Sequence, residues 1–302
     1  MLNKLSSLIT QVTRREAIVG YALVAPAFTL IVILVFLPTV DALLISVTDW
    51  QFGARSYNFV GLENFYELFH DGTFRAAFFN TLMYVCVTVP GTMLLGLTIA
   101  ILIESGKSLR IFYRTAHFLP VMATLAAMAI AWEALLHPTI GLVNSILHEF
   151  GMPGPNWLRD PNLVLPTLMV IGIWQNTGLA MVLFLAGLKA IPDDLYDAAA
   201  VDGADHWSDR LRTVTFPMLG PVSMFVAVIM ALRAFEVFDT VRVLTQGKPG
   251  NASETLLHTL YVESFEFLRA GYGSAVTVIF LIIVVALTLI QARVMDKKVY
   301  YT

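Results

Sequence analysis

Six stretches of the chain, residues 17–40, 76–103, 115–132, 161–188, 213–232 and 270–292, contain no Asp, Glu, Lys or Arg. Each is bounded by polar or charged residues and comes near the roughly 20 apolar residues that a helix needs to cross a bilayer. The pattern predicts an all-α integral membrane protein with six transmembrane helices. Pro26, Pro38, Pro90, Pro120 and Pro166 fall inside these runs; membrane helices accept proline because neighbouring groups satisfy the freed carbonyls. No run alternates apolar and polar residues over ten positions, which argues against a β-barrel. The first run is longer than a signal-peptide core and has no small-residue cleavage site after it, so it is expected to be a retained helix.

Composition agrees. Of 302 residues, 57% are hydrophobic and 14% charged, with net charge −3, against about 25% charged in soluble proteins. So few charges, gathered between the apolar runs, exclude a soluble enzyme, a disordered tail and a nucleic-acid binder. The single Cys86 excludes a disulfide scaffold and a thiolate metal site. Lys and Arg set orientation. Residues 1–18, 104–114, 189–212 and 293–302 hold bases at nearly three times the density of residues 41–75, 133–160 and 233–269. Both termini are therefore expected to be cytoplasmic. No repeat, low-complexity tract or Gly/Ser linker divides the chain. We expect one membrane domain over 1–302: an inner segment 1–16, a six-helix body 17–293 and an inner tail 294–302. The outer connections carry Trp50, Phe52, Tyr57 and Phe59, aromatics that suit an interface rather than a separate module.

The connection after the fourth run is the most informative. Pro192 followed by Asp193 and Asp194 opens a helix, since proline fits the first turn and acids there oppose the helix dipole. Leu195, Ala198, Ala199 and Asp202 fall on one face at three- and four-residue spacing. Gly203 interrupts, and a second short helix is expected from Ala204 towards Pro217. By pattern alone this is a surface-lying amphipathic connector.

Residues 197–204, DAAAVDGA, with Trp207 and Pro217 downstream, resemble the cytoplasmic loop of permease subunits of binding-protein-dependent ABC importers, above all those for sugars and glycerol phosphate. The likeness runs along most of the chain, through VGLENF at 60–65, NTL at 80–82, FYRT at 112–115, Leu119 with Pro120, AGL at 186–188 and Ile191 with Pro192. It continues in Phe238 with Asp239, Leu244 with Thr245, and GYGSA at 271–275. The chain departs from the family at three places. Asp197 replaces the usual Glu, the step from Gly203 to Pro217 is one residue longer than expected, and QGKP at 246–249 replaces a glycine-rich turn. The resemblance implies that Tyr196, Asp197, Ala198, Ala199, Asp202, Gly203, Ala204 and Trp207 form a coupling helix docking on a separate ATPase. It also implies a heterodimer with a second homologous permease subunit, two ATPase subunits carrying the ATP and Mg, an extracytoplasmic solute-binding protein, and a bacterial or archaeal cytoplasmic membrane. The alanines permit close approach, the glycine bends the chain, and the acids offer partners to basic groove residues.

The chain carries no enzymatic signature. Gly106, Lys107 and Ser108 lack the earlier glycine of a P-loop, since Ile101 stands there, and they follow a membrane helix rather than a strand. Lys107 is thus an inner-side charge. His148 and Glu149 lack the second histidine of a zinc protease, position 152 being Met152. No metal site, and no cofactor bound by this chain, is expected; Cys86 is read as packing.

Polar groups at membrane depth are candidates for a solute path. Gln175 and Asn176 donate and accept hydrogen bonds and Trp174 offers a stacking face, which suits a neutral polyhydroxylated solute; alternatively the amides bond neighbouring helices. Trp132 and Glu133 end the third run. Arg233, Glu236 and Asp239 end the fifth. Arg233 and Glu236 are spaced to neutralise each other on a helix, and that pairing is the first reading; in the other, Arg233 faces the cavity and meets an anionic sugar derivative through its guanidinium fork. The expected function is a permease subunit taking up a sugar or glycerol-linked small-molecule solute. A secondary carrier is the alternative, but the runs show neither an internal repeat nor the intramembrane ion sites such a carrier uses. An assembly or signalling protein without a path is a third class.

Overall fold

The computed structural model describes the backbone of residues 2–106, 109–204 and 206–298. Lys107, counted above among the inner charges, and Asp205, in the acidic inner connection, lie outside the described residues. Among those described, the one strand-type pairing is an isolated antiparallel bridge between Thr48 and Phe59; the fold is otherwise helical, as expected.

In chain order the helices are α1 (Leu2–Ile31), α2 (Leu37–Ile45), α3 (Glu63–His70), α4 (Gly72–Ser105), α5 (Arg110–Met122), α6 (Leu125–Leu135), α7 (Leu142–Glu149) and α8 (Val164–Lys189). They continue with α9 (Asp193–Val201), α10 (Trp207–Arg210), α11 (Phe216–Met218), α12 (Gly220–Phe235), α13 (Asp239–Leu244), α14 (Leu256–Tyr261) and α15 (Ala270–Lys298). Among the described residues five stretches are long and apolar enough to cross a membrane: Glu16–Ile45, Gly72–Ser105, Val164–Lys189, Gly220–Leu244 and Ala270–Arg293.

The first of these joins α1 to α2 through a π turn at Val32–Phe36. Pro38 has no N–H to give to the Leu34 carbonyl, and its ring crowds that carbonyl; widening the turn just before it relieves the clash. This helix stands outside the bundle, none of its apolar stretch being buried, and α2 meets the rest of the chain chiefly at α15.

The third apolar run is not the straight helix expected over 115–132. Helix α5 stops at Met122, Ala123 and Thr124 are extended, and the axis turns by 102° as the helix resumes in α6. Pro120 cannot bond the Ala116 carbonyl and disfavours helix at the residue before it, which weakens the turn where the break follows. The fifth run also differs from the expected 213–232. A π turn at Leu211–Thr215 and α11 lead to Leu219, where α12 starts with a proline in its first turn.

Helix α8 is the axis of the bundle, more than half buried over its apolar stretch. It crosses α4 on small residues: a Cβ added at Gly96 would lie 2.7 Å from the Ala180 Cβ, and one at Gly91 would lie 2.7 Å from Ile173 Cδ1. Close backbone approach through small residues is how membrane helices gain contact without a hydrophobic drive between them. At Gly178 an added Cβ would overlap the His117 carbonyl, so the missing side chain seats α5 on α8. The core falls into one cluster around Leu68, Phe74, Leu256, Tyr272 and Val276, a second around Tyr84, Leu168, Phe235 and Val241, and a third around Ala100, Met181, Phe184 and Val226.

Candidate functional site

The inner connection folds as two helices with a glycine turn between them. Pro192 precedes α9 in extended geometry and Asp193 and Asp194 occupy its first turn. At its end Gly203 adopts φ +93°, a left-handed conformation that glycine takes without penalty. The Gly203 N–H donates to the Ala200 carbonyl at 3.2 Å and the Ala204 N–H to the Ala199 carbonyl at 2.9 Å, the paired bonds of a Schellman cap. The second helix, expected from Ala204, begins at Trp207.

The face assigned to Leu195, Ala198, Ala199 and Asp202 is divided. Ala199 and Tyr196 turn inward onto Ile191, Val214 and Leu219, and the Tyr196 hydroxyl lies 3.1 Å from the Thr215 hydroxyl. Asp197, Ala198, Val201, Asp202 and Gly203 are exposed, and Asp202 caps α9 rather than riding on it. Trp207 is 72% exposed, whereas Ala204 is buried. One side of the element is thus bolted to the spans and the other is bare, with apolar Leu195, Val201 and Trp207 among acids.

Away from this connection, Gln175 and Asn176 of α8, Arg233 at the end of α12, Glu236, and Asp239 at the start of α13 line one cavity of about 330 Å³, together with Tyr84, Val237, Phe238 and Thr240. The break between α12 and α13 creates this grouping. Helix α12 ends at Phe235, and the turn through Glu236 and Phe238 aims a basic residue at one helix C-terminus and an acidic one at the next N-terminus, both favourable to the helix dipoles. The expected pairing of Arg233 with Glu236 does not occur: among the described residues no ion pair within 4.0 Å joins them. Both side chains are exposed, because the helix stops before Glu236 completes the turn that the spacing assumed. Asn176 donates Nδ2 to the Gly172 carbonyl at 2.9 Å, which leaves its Oδ1 free to accept.

Trp174 is elsewhere. It lines a separate, mainly apolar cavity of about 540 Å³ with Leu95, His117, Pro120 and Ile173, and its ring meets Trp132 edge-on at 5.4 Å and 86°. Glu133 is exposed on α6, apart from both groups. Tyr84 was not singled out from the sequence; its hydroxyl sits where a Gly172 Cβ would be. A polar group eight residues after the start of a charge-free run was the available signal.

Sequence reasoning also passed over the support beneath the cavity. Asn80 donates to the Asn251 and Glu254 carbonyls at 2.9 and 3.0 Å, the Leu256 N–H donates to Thr81 Oγ1 at 3.0 Å, and Thr255 Oγ1 donates to the Val237 carbonyl at 3.2 Å. Buried Glu254 accepts from Thr259 Oγ1 at 2.9 Å and meets His258 Nδ1 at 2.7 Å. These bonds lock the connection before α14 to α4 and to the turn that carries Glu236. Outside the spans, burial raises the Glu263 carboxyl above its ordinary range although Arg269 nearby opposes the shift.

The family described as binding-protein-dependent transport system inner membrane component matches residues 69–300. The sn-glycerol-3-phosphate transport system permease protein UgpA of Agrobacterium fabrum is 33% identical, over 94% of this chain and 97% of that protein. The trehalose/maltose transport system permease protein MalF of Thermococcus litoralis is 30% identical over 96% and 97%. A solved bacterial alginate ABC transporter in complex with an alginate pentasaccharide-bound periplasmic protein superposes at a TM-score of 0.83, with 21% identity, over 94% of this chain and 96% of that one; at that identity it shows the shared fold.

Proposed function

The chain belongs to the family of binding-protein-dependent transport system inner membrane components, and from that premise we propose that it is one of two permease subunits of an ABC importer for a sugar or glycerol-linked solute. The observation that carries this reading is the family match over residues 69–300, together with relatives named for glycerol-phosphate and trehalose/maltose transport. A soluble binding protein delivers solute to the outer face. The cavity holding Gln175, Asn176, Arg233, Glu236 and Asp239 forms this subunit's share of the path, and the second permease closes it. Trp132 on α6 meets Trp174 on α8, beside the bend of the α5–α6 pair that we count as the sixth span. Glu133 sits at the outer end of that pair.

ATP and Mg bind two separate ATPase subunits. Their closure pushes on Asp197, Ala198, Asp202, Gly203 and Trp207, while Tyr196, Ala199 and Ala204 carry the displacement inward towards α12. Such a subunit contributes no catalytic group. Its work is positioning: a rigid lever at the inner face, and at the outer side a cavity whose amides and charges replace water around a polar solute. The higher density of Lys and Arg in the connections on the side of the termini supports a cytoplasmic position for both.

The test is uptake by proteoliposomes holding this chain, its second permease and the ATPases, supplied with binding protein and labelled sugars, polyols and glycerol phosphates. Uptake should require ATP and ignore ionophores. Transport driven by an ion gradient without ATP would instead establish a secondary carrier.

A further inference from the structure

Helix α3 has three faces. Asn64 and Leu68 are buried, and Asn64 Nδ2 donates to the Ser46 and Thr48 carbonyls, each at 2.8 Å, which fastens α3 to the outer end of the first span. Glu63 and Glu67 form a second face, Glu67 taking the Arg269 guanidinium. The third carries Leu62, Tyr66 and Phe69, exposed by 72, 70 and 57%, with Phe59 close by. Among the described residues no element covers these large apolar groups. An exposed apolar patch of this kind marks an interaction surface.

Its continuation identifies the partner. Phe69 meets Phe74 edge-on at 6.2 Å, Phe74 lies 6.4 Å from Phe78, and Phe78 lies 5.6 Å from Phe79. Phe79 heads an exposed apolar row on α4 formed by Phe79, Met83, Val87, Leu94 and Leu102. At 1.5 Å rise per residue that row is roughly 35 Å long, enough to span the ~30 Å hydrocarbon core. Arg75, exposed one turn before Phe79, then stands at headgroup depth. The Tyr66 ring packs on His70 at 4.3 Å, so the aromatic face has a polar edge, as interfacial aromatics do.

We propose that α3 lies in the outer headgroup–acyl boundary as an interfacial anchor, with Leu62, Tyr66 and Phe69 in the lipid and Arg75 at the phosphates. The charges of Glu63 and Glu67 are turned away from that surface, the arrangement expected of an in-plane amphipathic helix. The anchor sets the height of the outer end of α4, and α4 carries Asn80, Thr81 and Tyr84 to the cavity and its supporting loop. It is a lipid contact with a positioning consequence, and it holds for any cargo.

The test uses the whole importer complex in nanodiscs of phosphatidylethanolamine and phosphatidylglycerol. Cys86, exposed on α4, is first removed as Cys86→Ser. Nitroxide labels are placed at Tyr66→Cys, Phe69→Cys, Phe79→Cys and Glu63→Cys, with Leu62→Cys used where a substitution prevents assembly. Collisions with oxygen should exceed collisions with a water-soluble nickel chelate several-fold at 66, 69 and 79, and the order should reverse at 63. Nickel-dominated collisions at 66 and 69 would overturn the proposal in favour of a wet face open to a soluble partner. Low accessibility to both reagents there would overturn it in favour of a face covered by another subunit.

Discussion

The Tyr196 hydroxyl lies 3.1 Å from the Thr215 hydroxyl, joining the inner helix α9 to the π turn that leads into α12. Tyr196 also packs on Ile191, Val214 and Leu219. Tyr196→Phe removes the hydrogen bond and keeps the packing. A neutral bond is worth about 1 kcal/mol, so uptake should fall on the order of fivefold while the complex still assembles. The measurement is initial uptake rate against ATP hydrolysis in proteoliposomes; an unchanged ratio would mean that this bond carries no displacement.

Gly203 has open space around it, with nothing within 4 Å of an added Cβ, so its constraint is backbone conformation alone. A left-handed residue other than glycine costs roughly 1–2 kcal/mol, with Asn the least disfavoured. Gly203→Asn should therefore keep most transport, and Gly203→Val should lose it while leaving the complex assembled on gel filtration. Equal loss in both variants would point to a steric role instead.

In the cavity, Asn176→Leu keeps the size of the side chain and removes its acceptor. Arg233→Gln removes the charge. Hydrogen bonds to neutral groups contribute about 0.5–1.5 kcal/mol and those to charged groups about 1.5–3. If the solute carries a phosphate, Arg233→Gln should weaken uptake by about tenfold or more and Asn176→Leu by less; for a neutral sugar the order should reverse. Half-saturation concentrations measured on both variants with glycerol phosphate and with a disaccharide decide between them.

The α4–α8 crossing predicts a stability effect. Gly96→Val forces a side chain against Ala180 and the Met181 backbone, and overpacking of this kind costs about 1–3 kcal/mol. The purified complex should melt several degrees lower. Gly20→Ala, in open space on the first helix, should leave melting unchanged or slightly raise it.

Glu263 supplies a pH test. Its carboxyl is raised in the folded chain by burial, so the folded state holds that proton at pH values where the unfolded chain has released it. The stability this contributes is complete below the ordinary carboxylate range and is lost as pH rises through the folded value. Glu263→Gln should flatten the fall in melting temperature across and just above that range. An identical profile in the variant would remove Glu263 as the cause.

Much of the molecule is written in its linear pattern. Charge-free runs mark the membrane helices because bilayer insertion is decided by local apolar content. Gly203 and the acids after Pro192 mark the inner turn because cap chemistry is local too. Pro120 was visible in the third run, but the 102° bend after it depends on how α5 seats against Gly178. Gln175 and Asn176 stood out as polar groups in an apolar run, as did Arg233, Glu236 and Asp239 at the end of another. Their meeting in one cavity did not, nor did the removal of Trp174 to the far side of α8, the loss of the Arg233–Glu236 pair or the entry of Tyr84. Those were decided by helix rotation and by one break between α12 and α13. Adjacent residues on a helix point about 100° apart, and only packing against distant segments chooses which of them meets the cavity.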